Sequence, residues 1–128
     1  MREAVRSTFI AASLAMAAAA SVAAELPFSK GAFDQALAEG KPVVVDFAAS
    51  WCPTCKAQKP VVQGLLKDAK RKTLTVFVAD FDKEDTLKQQ LKVTMQSTLI
   101  AFKGGREVAR STGQTDKAEL GALLDKAF

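Results

Sequence analysis

Val43-Val44-Val45-Asp46-Phe47-Ala48-Ala49-Ser50-Trp51-Cys52-Pro53-Thr54-Cys55-Lys56 is the stretch from which the rest of the chain is read. Its first part, led in by Lys41 and Pro42, is a nearly continuous apolar run. That is the pattern of a strand covered on both faces, and Asp46 alone interrupts it. Its last part holds the only two cysteines of the 128 residues, and a helical pattern begins near Pro53. Cys-x-x-Cys at the junction of a buried strand and a helix is a redox-motif signature.

The spacing explains the chemistry. A helix starting at Cys52 or Pro53 puts Cys52 among the unpaired N–H groups of the helix start, where the macrodipole favours a thiolate. Proline suits the first helical position, because its missing N–H would have no helical partner there. Cys55 lies three residues on, on the same helix face, so the sulfurs can close a small ring. The expectation is that Cys52 is the exposed attacking thiol. Cys55 is then the more buried resolving thiol, which attacks the mixed disulfide and releases the product. Thiols at such positions have pKa values of about 3.5 to 7.5, against about 8.5 for free cysteine. Pro53-Thr54 adds neither charge nor imidazole, so the dipole and the neighbouring Lys56 and Lys59 are left to supply a moderate shift. A purely structural disulfide across so short a loop would stabilise little. An intramolecular zinc site of the usual kind needs four ligands, and the chain has no histidine and no third cysteine. Copper(I) held by two soft thiolates stays open as an alternative.

The N-terminus reads as a separate unit. Met1 to Arg6 is short and net positive, residues 8–20 are apolar and alanine-rich, and Val22-Ala23-Ala24 places small residues where a signal peptidase reads them. Residues 1–24 are therefore expected to be a secretory signal peptide, cleaved after Ala24, with residues 25–128 as one domain. An uncleaved anchor is the alternative, and the run is a poor span for it. Removing Arg2, Arg6 and Glu3 from 18 basic and 14 acidic residues leaves 16 and 13, a net charge of +3. With that mild charge, no long basic run and no tyrosine, nothing suggests nucleic acid. Exported compartments are oxidising, and the C-terminus carries no endoplasmic-reticulum retention signal, so a bacterial periplasm is expected.

Along the chain, Leu26-Pro27-Phe28 is a short extended lead-in, and Ser29 caps a helix to about Glu39, ended by Gly40. Strands are expected at residues 42–47, 74–79, 98–102 and 106–110, the last two joined by a Lys103-Gly104-Gly105 hairpin. Helices are expected at 53–70, kinked by Pro60, at 83–91 capped by Asp82, and from Thr115 to Ala127. The order gives an α/β protein, a mixed sheet with one parallel pair and one antiparallel hairpin, sandwiched by helices.

This arrangement resembles the thioredoxin fold over essentially the whole of residues 25–128. The match rests on the strand leading to Asp46, on Trp51 and the two cysteines, on Lys56 and Pro60, on Thr98 to Gly105 and on Gly113. The resemblance implies that Asp46 lies buried behind Cys55 and takes its proton, as a buried carboxylate with a raised pKa can. It implies that Trp51 walls the active site, and that Pro53, Thr54, Gln96 and Ser97 meet the substrate. It also implies a monomer that exchanges disulfides with protein thiols and needs no cofactor beyond the redox pair. More specifically, it suggests a reductant supplied by a membrane redox partner. The alternative is a binding module on the same scaffold, for example for copper(I).

Three departures from the family pattern stand out. Ser97 occupies the place of the family's cis-proline, and the Gln96–Ser97 bond is expected to be trans. Its hydroxyl is then available to the Cys52 thiolate. Val78 replaces the lysine that pairs with the buried aspartate, which leaves Asp46 without that cation. Pro53-Thr54 replaces Gly-Pro.

Overall fold

In a computed structural model, residues 11–13 and 22–128 are described. The expected signal peptide lies outside the described residues, apart from its residues 11–13 and 22–24. The elements are β1 (Ala24–Pro27), α1 (Lys30–Ala38), β2 (Val43–Ala48), α2 (Pro53–Leu65), β3 (Thr75–Asp80), α3 (Asp85–Leu91), β4 (Thr98–Lys103), β5 (Arg106–Thr112) and α4 (Lys117–Asp125). A short 3-10 turn over Ala69–Arg71 follows α2.

The five strands form one sheet in the order β1-β3-β2-β4-β5. β3 runs parallel to β1 and to β2, while β4 runs antiparallel to β2 and to β5. The expected lead-in at residues 26–28 is thus largely strand, and the sheet has two parallel pairs rather than one. Side chains alternate across a strand, so one sheet feeds two cores. Val43, Val45, Phe47, Phe77 and Phe102 face α1 and α3, with Phe33 and Phe77 edge to face at 5.9 Å between ring centroids. Val44, Val76, Leu99 and Ala101 face α2 and α4. Asp46 and Val78 follow Val44 and Val76 by two residues, and so continue the α2 face.

Local chemistry moves several expected boundaries. Ser29 caps α1 as read, and Gly40 follows it at a φ of +67°. Helix α2 ends at Leu65, not near residue 70. The Asp68 carboxylate accepts from the Lys70 N–H and starts the 3-10 turn instead. Arg71, 4% exposed, then ties this turn to α4 through Asp125 and to α2 through the Leu65 carbonyl. Asp82 does not cap α3. Glu84 holds the cap position with no side-chain bond, and Asp82 is engaged by Trp51. Asp116, not Thr115, caps α4 by accepting from the Glu119 N–H, because the Gln114 amide oxygen holds the Thr115 and Asp116 N–H groups.

Candidate active site

Strand β2 runs into α2 through Ala49 to Cys52, and that junction sets both sulfurs. Cys52 is the N-cap of α2, with φ −88° and ψ 112°, and its Sγ accepts from the Cys55 N–H at 3.1 Å. The sulfur takes the place of the oxygen that a serine or aspartate cap would offer. Pro53 sits exposed at the first helical position, and Thr54 is half-buried behind it. Both cysteines are free thiols.

Ser97 joins the two sulfurs. Its Oγ lies 3.1 Å from Cys52 Sγ and 3.1 Å from Cys55 Sγ. No cis peptide bond occurs among the described residues, so Gln96–Ser97 is trans as expected. Ser97 instead adopts a φ of +64°, the left-handed region that costs a non-glycine residue roughly 1–3 kcal/mol. The surroundings hold it there. Its N–H donates to Phe47 O at 2.8 Å, and its carbonyl accepts from the Gly113 N–H at 3.0 Å and from Gln58 Nε2 at 3.2 Å. Gln96, half-buried, precedes it.

The expected contrast in exposure does not hold. Cys52 is 1% exposed and Cys55 8%; both lie in one buried cluster with Ala49, against which Ala48 and Phe81 pack, and the Ser97 hydroxyl meets Cys52 Sγ. The contrast lies in charge. Burial pushes the Cys52 thiol up, but hydrogen bonds from Cys55, from Ser97 and from the Cys55 and Thr54 N–H groups together outweigh it. They hold the thiol below its ordinary value. Burial, with the bond to Cys52, pushes Cys55 up. The lysines expected to stabilise the thiolate are not among these partners. Lys56 and Lys59 line the cavity on the other side of Cys55.

That cavity, of about 360 Å³, is bounded by Glu25 of β1, Asp46 of β2, Val78 of β3 and Cys55 with the two lysines of α2. Asp46 and Cys55 thus face one space, as the resemblance implied. Burial first, and the Glu25 charge second, raise the Asp46 carboxyl from 3.8 to about 7. Val78, opposite Asp46 in the β2–β3 register, offers no charge to counter this. Asp46 has no ion-pair partner among the described residues. On the outer side Trp51, 55% exposed, donates its indole N–H to Asp82 at 2.7 Å.

Residues 24–126 match the thioredoxin family. The chain belongs to it. It is 39% identical over 98 residues to the thioredoxin of Chlamydia muridarum, covering 77% of this chain and 93% of that one. It is 38% identical over 88 residues to the bifunctional thioredoxin reductase/thioredoxin of Mycobacterium leprae, 69% of this chain but only 19% of that protein. Among solved structures, Trxlp from Edwardsiella tarda EIB202 superposes with a TM-score of 0.77 at 42% identity, over 79% of this chain and 98% of that one. The protein is therefore a protein-disulfide oxidoreductase of the thioredoxin type. Thioredoxins act through a dithiol without a separate cofactor.

Two residues of this thioredoxin-family site are not evident from its sequence motif. Gln58 is 1% exposed and reaches both Ser97 O and Gln114 O. Its signal is a polar residue on the stripe of Cys55, Val62 and Leu65. Glu25 has no local signal, because only the pairing of β1 with β3 brings it to Asp46.

Proposed function

We propose that this thioredoxin-family protein is exported to a bacterial periplasm. There it acts as a monomer and passes two electrons from Cys52 and Cys55 to disulfides of other proteins, drawing them from a membrane redox partner. The observation that carries the reductant reading is the kind of support given to Cys52. All of its partners are neutral donors and none is a cation. Such support lowers a thiol moderately, and a moderate thiolate leaves the disulfide only weakly oxidising.

In this reading the Cys52 thiolate attacks one sulfur of a substrate disulfide. A Cys52–substrate disulfide forms, and the other substrate sulfur leaves with the bonding electrons and takes a proton from water. Cys55 then gives its proton to the Asp46 carboxylate, across the cavity both face, and attacks Cys52. The Cys52–Cys55 disulfide forms, and the second substrate sulfur leaves as a thiolate. The dithiol is oxidised by two electrons and the substrate disulfide is reduced by two. Trp51, Pro53, Thr54 and Gln96 surround the point of attack and contact the incoming chain.

Insulin reduction in the presence of a small dithiol tests the reading. The native protein is expected to accelerate it, and Cys52→Ser to lose the acceleration by more than about a thousandfold. An unchanged rate in that variant would overturn the assignment. Equilibration with glutathione is expected to place the pair in the more reducing half of the range from about −120 to about −270 mV. A value near the upper limit would make the protein a disulfide donor instead.

A further inference from the structure

We propose that the Ser97 hydroxyl serves two thiolates in turn, Cys52 at rest and Cys55 during resolution, and that Gln58 is the positioning residue that keeps it between them. This rests on the reading of Cys52 and Cys55 as attacking and resolving thiols. A hydroxyl has one O–H to donate and lone pairs to accept with, so it cannot donate to both sulfurs at once. With Cys52 ionised, the hydroxyl and the Cys55 S–H both donate to Cys52. Once Cys52 is bonded to substrate it carries no charge. The hydroxyl is then free to turn about its own bond and donate to Cys55 as that thiol loses its proton. Both sulfurs lie 3.1 Å from the oxygen, so the exchange moves a hydrogen and leaves the heavy atoms in place.

Gln58 explains how a strained residue stays in register. Its amide nitrogen bonds the Ser97 carbonyl at 3.2 Å and the Gln114 carbonyl at 2.7 Å, tying the residue to the loop after β5. Its own oxygen, Oε1, is buried and has no hydrogen-bond partner. A buried amide with an unmet oxygen is destabilising, and an apolar side chain would fill this stripe at less cost. The placement of Ser97 accounts for that cost. The charged groups near the pair are Glu25 from β1, Asp46 from β2, Asp80 from β3, and Lys56 and Lys59 from α2. None of them is a hydrogen-bond partner of Ser97, so the hydroxyl acts on the sulfurs directly.

The test uses the reduced protein with Ser97→Gly, which tolerates the left-handed backbone, and Gln58→Met, which keeps the volume without the amide. One readout is the pH profile of Cys52 alkylation by iodoacetamide. The other is the single-turnover release of a small aromatic thiol from its mixed disulfide with Cys52. For Ser97→Gly the alkylation midpoint is expected to rise by about one pH unit and release to slow about tenfold. Gln58→Met is expected to move both in the same direction by about threefold. An unchanged profile and release rate in Ser97→Gly overturns the shared hydroxyl. A Gln58→Met protein that loses only thermal stability overturns the positioning role. Neither readout needs a protein substrate, so failure here is distinct from failure of the native protein to reduce insulin.

Discussion

In front of the two sulfurs, the Ser97 hydroxyl bonds both of them at 3.1 Å, and Gln58 bonds the Ser97 and Gln114 carbonyls at 3.2 and 2.7 Å. Behind them, Asp46 and Glu25 share a cavity, and Asp46 has no cation at ion-pair distance among the described residues. The front supplies directed donors and lowers the affinity of Cys52 for its proton. The back withholds donors and raises the affinity of Asp46 for its own. Cys52 and the Asp46 carboxyl are pushed in opposite directions, and neither effect needs a charged partner of opposite sign. The lesson is that desolvation acts through what accompanies it. Burial with donors favours an anion, and burial beside another carboxylate favours the neutral acid.

The largest effect that would test this comparison is at Asp46. Its carboxyl titrates near 7 in the folded chain and near 3.8 as an unperturbed group, so the folded state holds a proton that the unfolded state releases. Stability is then highest below pH 3.8 as far as this group is concerned, and it falls as pH rises toward 7. The loss amounts to up to about 4 kcal/mol. Asp46→Asn should abolish that slope and be the more stable protein at pH 8 in denaturant titrations, while slowing resolution by Cys55. Equal pH slopes in the two proteins would mean that the back of the site is not desolvated as described.

A smaller change sharpens the origin of the shift. Glu25→Gln removes the like charge but leaves the burial, and burial is the larger cause. The Asp46 midpoint, followed by carboxyl signals in NMR, should drop by less than about one pH unit. A drop back to an ordinary carboxylate value would show that the pair interaction, not burial, dominates.

The smallest effect belongs to the outer face of the front. Trp51→Phe removes the indole bond to Asp82, which is exposed, so thermal unfolding should register under about 1 kcal/mol. Insulin reduction should change mainly in KM. A large stability loss would make Trp51 a structural strut rather than a contact surface.

What the sequence disclosed follows how local each signal is. Asp46, Cys52 and Cys55 stand within ten residues on one strand–helix unit, so their grouping could be read directly. Ser97 became legible only because the family resemblance marks its position. Gln58 sits on an apolar stripe and acquires meaning only through a residue 39 positions away. Glu25 belongs to a four-residue strand whose last three residues are exposed, and such a strand carries no alternating pattern to announce it. The helix limits near residues 65, 85 and 117 were missed for a related reason. Asp68 and Gln114 each engage two donors, and Asp82 accepts from the distant Trp51 indole, so the packed fold and not the local sequence decided each cap.

Ala24 opens β1 with its N–H on Leu74 O at 3.0 Å, and Glu25 follows it into the wall of the cavity that Asp46 faces. Processing after Ala24 would cut away the first residue of that strand and make Glu25 the amino terminus of the mature chain. The ammonium group so created has an ordinary pKa of about 7.7–8.0. It would stand on the very residue whose carboxylate raises Asp46, and would oppose that rise. Removing a leader would then be an electrostatic event for the redox centre. The precursor and the mature protein would differ in acidity as well as in length.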